Sequence, residues 1–271
     1  MRPHLLSLAL LAALAGCQPA DTTSNAPAAA GQAGEATADA AFAELSKRAL
    51  DTWMQHSPVS ATQIGDHRYD GQIDDLSAEG QQATLAAYKA LLADLDKLDI
   101  ARLGRENQVD AAILRNQLQS EIWNAEVLKS AQWDPQMYNG LAGSAIYGLM
   151  AREFAPLPER LKSATARMEK IPAIFAQARA NLDPARVPKI HAETVAKQNR
   201  GILSIVDTFI TPHVGELPQA EQQRLQAAIE GLKKAVEEQQ AWLDGTLVPN
   251  AKGEFRIGAQ LYDQKLKFAL N

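Results

Sequence analysis

From Ala40 onward the chain is a succession of apolar stripes at three- and four-residue spacing. Phe42, Leu45, Ala49, Leu50 and Trp53 predict a helix over about Ala40 to His56. Pro58 and the residue before it end that run, because proline disfavours helical backbone at the preceding residue. Ser77 is placed to cap a second helix, in which Leu85, Tyr88, Leu91, Leu92, Leu95 and Leu98 carry the stripe to Asp99. A third runs from about Arg105 to Ser130 on Val109, Ile113, Leu114, Leu118, Ile122 and Leu128, with Gln117, Glu121 and Asn124 on its other faces. Pro158 suits a first helical turn and opens a helix to Ile171; Pro172 kinks or restarts it, and the face continues to Leu182. Val187-Pro188 opens another from about Lys189 to Phe209. Leu217-Pro218 opens a further one through Leu225, Ile229, Leu232, Val236 and Trp242, which stops near Asp244-Gly245. Val and Ile are sparse and never alternate with polar residues over a useful length, so no sheet is expected. The fold class is all-α, a multi-helix bundle or array.

Two stretches depart from this rhythm. Trp133 to Pro158 holds three glycines and three prolines among aromatic and apolar residues, with Asn139-Gly140 as a turn signal. Gly143 and Gly148 would let a short helix approach a neighbour closely. The segment reads either as a buried helix crossing or as a cleft lining. At the end of the chain, Phe255, Ile257, Leu261, Tyr262, Leu266, Ala269 and Leu270 begin a new stripe that stops at Asn271 without a partner helix. That pattern reads either as a terminal helix docked on the core or as a chain interrupted as an element begins.

The N-terminus decides the compartment. Arg2 and His4 precede the apolar run Leu5 to Leu14, which falls short of the roughly 20 residues a bilayer span needs. The run leads into Leu14-Ala15-Gly16-Cys17, which is similar to the lipobox of bacterial lipoproteins. That resemblance implies a signal peptide over residues 1–16, a diacylglyceryl group on Cys17 and a lipid anchor in the membrane. Gln18, rather than Asp, after the cysteine implies the outer membrane, facing the periplasm. Cys17 is the single cysteine, so no disulfide forms within the chain. Residues 17–39 contain no large apolar side chain after the cysteine and are expected to be a disordered tether, spanning on the order of 25 Å as a coil. Residues 40–271 are then the folded domain. The formal charge of −5, or −6 once Arg2 leaves with the signal, comes without a basic stripe. Nucleic acid and electrostatic binding to anionic lipid are therefore excluded as partners.

Compact catalytic motifs are missing. No two of the five histidines stand at i, i+4, as a helix-borne His-Glu-x-x-His zinc site requires; there is no Gly-x-Ser-x-Gly elbow and no phosphate-cradling glycine loop. The one concentration of chemistry lies in Pro58 to Leu76, PVSATQIGDHRYDGQIDDL. Asp66, His67, Asp70, Asp74 and Asp75 are residue types that serve as general bases or metal ligands. Asp66 after Gly65 and Asp70 before Gly71 equally read as turn-makers, in a loop pinned by Asx-type hydrogen bonds and an Arg68-carboxylate pair. On the other reading, Arg68 or Tyr69 lines a substrate cleft.

The order of short motifs adds a family. Pro58, Ala61-Thr62, Gly65-Asp66, Arg68-Tyr69-Asp70 and Asp74-Asp75-Leu76 resemble the start of the domain-of-unknown-function 885 family. The likeness recurs at Pro158-Glu159-Arg160-Leu161, at Ile171-Pro172 with Ala178 and Asn181-Leu182, and at Phe255-Arg256-Ile257-Gly258 with Leu261-Tyr262. It implies a helical bacterial lipoprotein related to zinc metallopeptidases, whose metal motif lies in the second half of the full-length protein. No residue here matches that motif, so no catalytic residue and no metal ligand carry over, and zinc is implied only for a full-length member. The resemblance implies that Asp66, His67, Arg68, Tyr69 and Asp70, with Arg256 and Tyr262, border a cleft that the other half completes around a peptide substrate. The other reading is a self-sufficient helical lipoprotein that binds a ligand or partner in the periplasm.

Overall fold

The computed structural model describes the backbone of residues 26–270 and the side chains of residues 34–270. The lipobox and Cys17 lie outside the described residues. Among those residues the protein is all-α, without a sheet; a single parallel bridge joins Pro188 and Gly253.

Helices α1 (Ala26–His56), α3 (Ala78–Asp96) and α4 (Arg105–Trp123) form one layer. It is closed by Phe42, Leu45, Tyr88, Leu91, Leu95, Leu103 and Leu118. Ser77 caps α3, its hydroxyl accepting from the Gly80 amide at 3.0 Å. The remainder packs around α5 (Pro135–Met150), with α6 (Leu157–Met168), α7 (Ile171–Asn181), α8 (Lys189–Gln198), α9 (Gly201–Phe209) and α10 (Gln219–Trp242) about it. Ala142, Ile146, Leu149, Leu161, Met168, Phe175, Val206 and Leu232 fill one core there, and Tyr138, Ile174, Val187, Val195 and Leu247 another. Helix α2 (Pro58–Ile64) and the loop to Leu76 bridge the two groups, and Ile73 packs against both cores of the second. A short turn, α11 (Val248–Asn250), precedes the last helix, α12 (Ala259–Leu270).

The structure departs from the stripe pattern in four places. Helix α1 begins at Ala26, inside the segment expected to be tether, because alanine holds helix without needing a core. Its Asp39 carboxylate docks on the α4 end by accepting from the Gly104 amide at 3.0 Å. Pro58 opens α2 at its first turn as well as ending α1. Asn139-Gly140 lies within α5 and makes no turn; α5 is the buried crossing helix, with Gly143 facing Ile205 and Gly148 facing Thr62 and Gln63. The helix expected over 189–209 breaks at Asn199, whose buried side chain donates to the Val236 carbonyl at 2.9 Å.

Candidate functional site

The 58–76 segment is held by a buried guanidinium. Arg167, on α6 and fully buried, donates from Nε to the Gln72 carbonyl at 2.7 Å and from Nη1 to the Ala145 carbonyl at 3.1 Å. Its Nη2 donates to the Pro58 carbonyl at 3.0 Å and to the Thr62 hydroxyl at 2.6 Å. Thr62 in turn donates to Asp70 at 2.6 Å, and the other Asp70 oxygen meets His67 Nδ1 at 3.0 Å. The His67 ring stacks on Phe154 at 3.6 Å. Burial pushes the Arg167 guanidinium down to about 10, against the pull of Asp70 and Asp74, so it stays charged at neutral pH. A planar fork with several donors suits a site where the acceptors are fixed carbonyls.

Asp66 caps the short 3₁₀ turn His67–Tyr69 by accepting from the Arg68 amide, and it pairs with the Arg68 guanidinium at 2.6 Å. Asp51 takes the same guanidinium at 2.8 Å. Those hydrogen bonds from Arg68 hold the Asp66 carboxyl below the usual range. The expected Asx turn and Arg68-carboxylate pair are both present. Arg256 and Tyr262 sit elsewhere, both exposed: Tyr262 on α12, and Arg256 just before it, over the Phe255 ring at 4.2 Å.

The end of the same segment opens on a cleft of about 280 Å³ at the seam between the two helix groups. Asp74 forms part of its wall and accepts from the Val59 amide at 3.1 Å, standing in for an N-cap of α2. Asp75 accepts from Ser77 and Gln177, while Gln177 accepts from the Leu76 amide and Asn181 donates to the Leu76 carbonyl. Facing them are Tyr88 of α3 and Glu121 of α4. Burial raises the carboxyls of Asp74 and Glu121 above their usual values. Burial, with the nearby Glu121 charge, raises the Tyr88 hydroxyl to about 12. The opposite wall is irregular. α4 runs into a π-turn over Asn124–Leu128, and Lys129 follows at φ 55°, left-handed backbone rare for a side-chain-bearing residue.

Of the residues singled out by sequence, Asp74 and Asp75 line this cleft; Asp66, His67, Arg68, Tyr69, Asp70, Arg256 and Tyr262 do not. Sequence reasoning missed Glu121 and Tyr88 as site residues and Arg167 as the group that holds the segment. The polar row Gln117, Glu121, Asn124 on α4 was the available signal for Glu121. The arrangement offers two protonatable carboxyls, a phenol and the Lys129 ammonium, a set suited to a small polar ligand. Among the described residues no three His, Cys, Asp or Glu side chains come together to share a metal ion.

The sequence matches, over residues 58–271, the model of a family described as bacterial proteins of unknown function, DUF885. The chain belongs to the DUF885 family. It also superposes with a TM-score of 0.78 on a solved structure from Shewanella oneidensis, described as a candidate lipoprotein of unknown function, at 34% identity. That match takes in 84% of this chain and 42% of the other, so the chain spans about half the length of this neighbour. No curated protein matches the sequence.

Proposed function

We propose that this chain is the lipid-anchored N-terminal half of a cell-envelope hydrolase, supplying one wall of a substrate cleft and no catalytic metal. The observation that carries the reading is length: most of this chain is equivalent to less than half of the Shewanella protein. On this reading a diacylglyceryl group on Cys17 holds the protein at the outer membrane, facing the periplasm, and residues 40–271 extend the helical body of the larger enzyme. Peptide hydrolysis by metal-activated water belongs to the whole protein, with its ligands on the other half.

A second reading is favoured by the cleft itself. Desolvated Asp74 and Glu121 beside Tyr88 and Lys129 suit a self-sufficient lipoprotein that binds a small polar ligand or a partner in the periplasm.

The mass of the native protein in the outer-membrane fraction separates them. A band far above the 29.3 kDa of the 271 residues, with zinc-dependent peptide hydrolysis that those residues alone lack, supports the first reading. A band near 29.3 kDa turns the case to the binding module. Zinc-dependent peptidase activity from this chain alone would sink both.

A further inference from the structure

Between α1 and α4 runs a groove of about 490 Å³, distinct in character from the polar cleft. Its walls are Phe42, Leu50, Trp53, Ile113 and Leu118, and the charged Asp110 and Glu121 stand among its lining. Leu50 is 56% exposed and Ile113 62%, although both lie on helices whose other faces are buried. Helix α12 crosses α4 just beyond it: Trp123 Nε1 donates to Gln264 at 2.6 Å, and Asn116 donates to the Phe268 carbonyl at 2.9 Å. The order of those contacts makes α12 antiparallel to α4, so its direction runs from Trp123 past Asn116 toward Ile113. The outward side of α12 is itself apolar, with Tyr262, Leu266 and Leu270 four residues apart and 56%, 36% and 76% exposed. Surface apolar residues scattered singly need no explanation, whereas Leu50 and Ile113 share one apolar groove, and a concave apolar surface of this kind marks an interface.

We propose that the α1–α4 groove seats a helix from the part of a full-length DUF885 chain that has no counterpart in these 271 residues. The proposal rests on the half-protein reading above. Length supplies the occupant, since the Shewanella relative has more than half its chain outside the match. Direction is compatible with this, since α12 runs antiparallel to α4, from Trp123 past Asn116. An amphipathic helix laid in an apolar groove is a common recognition mode and would cover Leu50 and Ile113 together.

The test uses the scarcity of thiols. Cys17 is the only cysteine, so Ile113→Cys or Leu50→Cys introduces one new reporter, and the unsubstituted protein sets the baseline. Each variant is made in the native gene and labelled with a mass-tagged maleimide in intact envelopes. The same variants are labelled in the purified 271-residue chain, with Lys234→Cys, at a side chain 78% exposed, as control. The expected result is a native band well above 29.3 kDa in which the thiol introduced by either groove substitution reacts at least about tenfold more slowly than in the short chain, while Lys234→Cys reacts alike in both. A large band with both groove positions labelled at the short-chain rate overturns the groove as the seat and leaves the half-protein reading standing. A band at the mass of the short chain overturns both. Because Leu50 and Ile113 are exposed, neither substitution should disturb folding.

Discussion

Arg167 Nη2 donates to the Thr62 hydroxyl at 2.6 Å across 105 residues of sequence, and this contact ties the 58–76 segment to α6. The same side chain donates to the carbonyls of Pro58, Gln72 and Ala145, so its loss removes a charged donor from three acceptors at once. Arg167→Met is expected to cost about 3 kcal/mol or more, since hydrogen bonds from a charged donor contribute about 1.5–3 kcal/mol each. Arg167→Lys should recover less than half of that, because a point ammonium cannot reach carbonyls spread around a fork. Urea unfolding of the three proteins checks both; a loss under about 1 kcal/mol for Arg167→Met would refute the role.

Asp74 sets a pH dependence of unusual sign. Burial raises its folded-state pKa, so between its ordinary value and the raised one the folded protein binds more protons than the unfolded chain. Its contribution to stability is therefore fully present at low pH and is lost as pH rises through the folded pKa. Glu121 acts in the same direction. Asp74→Asn keeps an acceptor for the Val59 amide and removes the titration. Relative to the natural protein, this variant should gain stability as pH is raised from 4 to 7. Urea midpoints across that range decide it, and a difference that stays flat with pH counts against a desolvated Asp74.

Two glycines should respond oppositely to alanine. A Cβ at Gly253 would stand 1.9 Å from the Arg186 carbonyl oxygen, and the Gly253 amide already donates to Val187 at 2.9 Å. Gly253→Ala must push the chain off the α8 start and should cost about 2 kcal/mol, a typical overpacking penalty. Gly140 lies in α5 with open space where its Cβ would be. Gly140→Ala should stabilise by about 0.5–1 kcal/mol through helix propensity alone. Melting temperatures moving the same way in both variants would contradict this.

Two hydrogen bonds from α4 dock α12, one of them from the Trp123 indole. Trp123→Phe keeps the ring contact with Phe268, 5.7 Å away between centroids, and deletes the donor to Gln264. The expected loss is about 1 kcal/mol, localised to α12. Amide exchange should accelerate over residues 259–270 and leave α5 unchanged; exchange that rises throughout would point to a global effect instead.

Much of the fold was legible because stripes record burial. Leu45, Leu95, Leu161 and Leu232 stand where their spacing places them, and Ser77 and Pro158 open helices as their chemistry dictates. Local signals failed where distant packing outweighed them. Asn139-Gly140 is turn-like in isolation, yet α5 is surrounded by α6, α7, α8 and α9, and burial along the whole helix outweighs one glycine. The break at Asn199 depends on acceptors in α10 that no local window contains. The site was less legible for the same reason. Asp66 and Arg68 crowd together in sequence and satisfy one another, whereas Asp74, Tyr88 and Glu121 meet only after the helix groups close. Arg167 gave no signal, since an arginine in an amphipathic helix ordinarily faces solvent.

The hydrogen bonds that close the 58–76 segment come from Arg167, Gln177 and Asn181, about a hundred residues downstream. During synthesis, residues up to Leu76 must therefore wait for α6 and α7. At roughly 5–20 residues per second that wait is roughly 5–20 s. For that interval a newborn molecule has helices α1 and α3 in hand while the cleft still lacks the helices that fix its Asp74 wall. Closing so long a loop costs entropy only logarithmically in its length, so the delay is set by delivery of the chain rather than by closure of the loop.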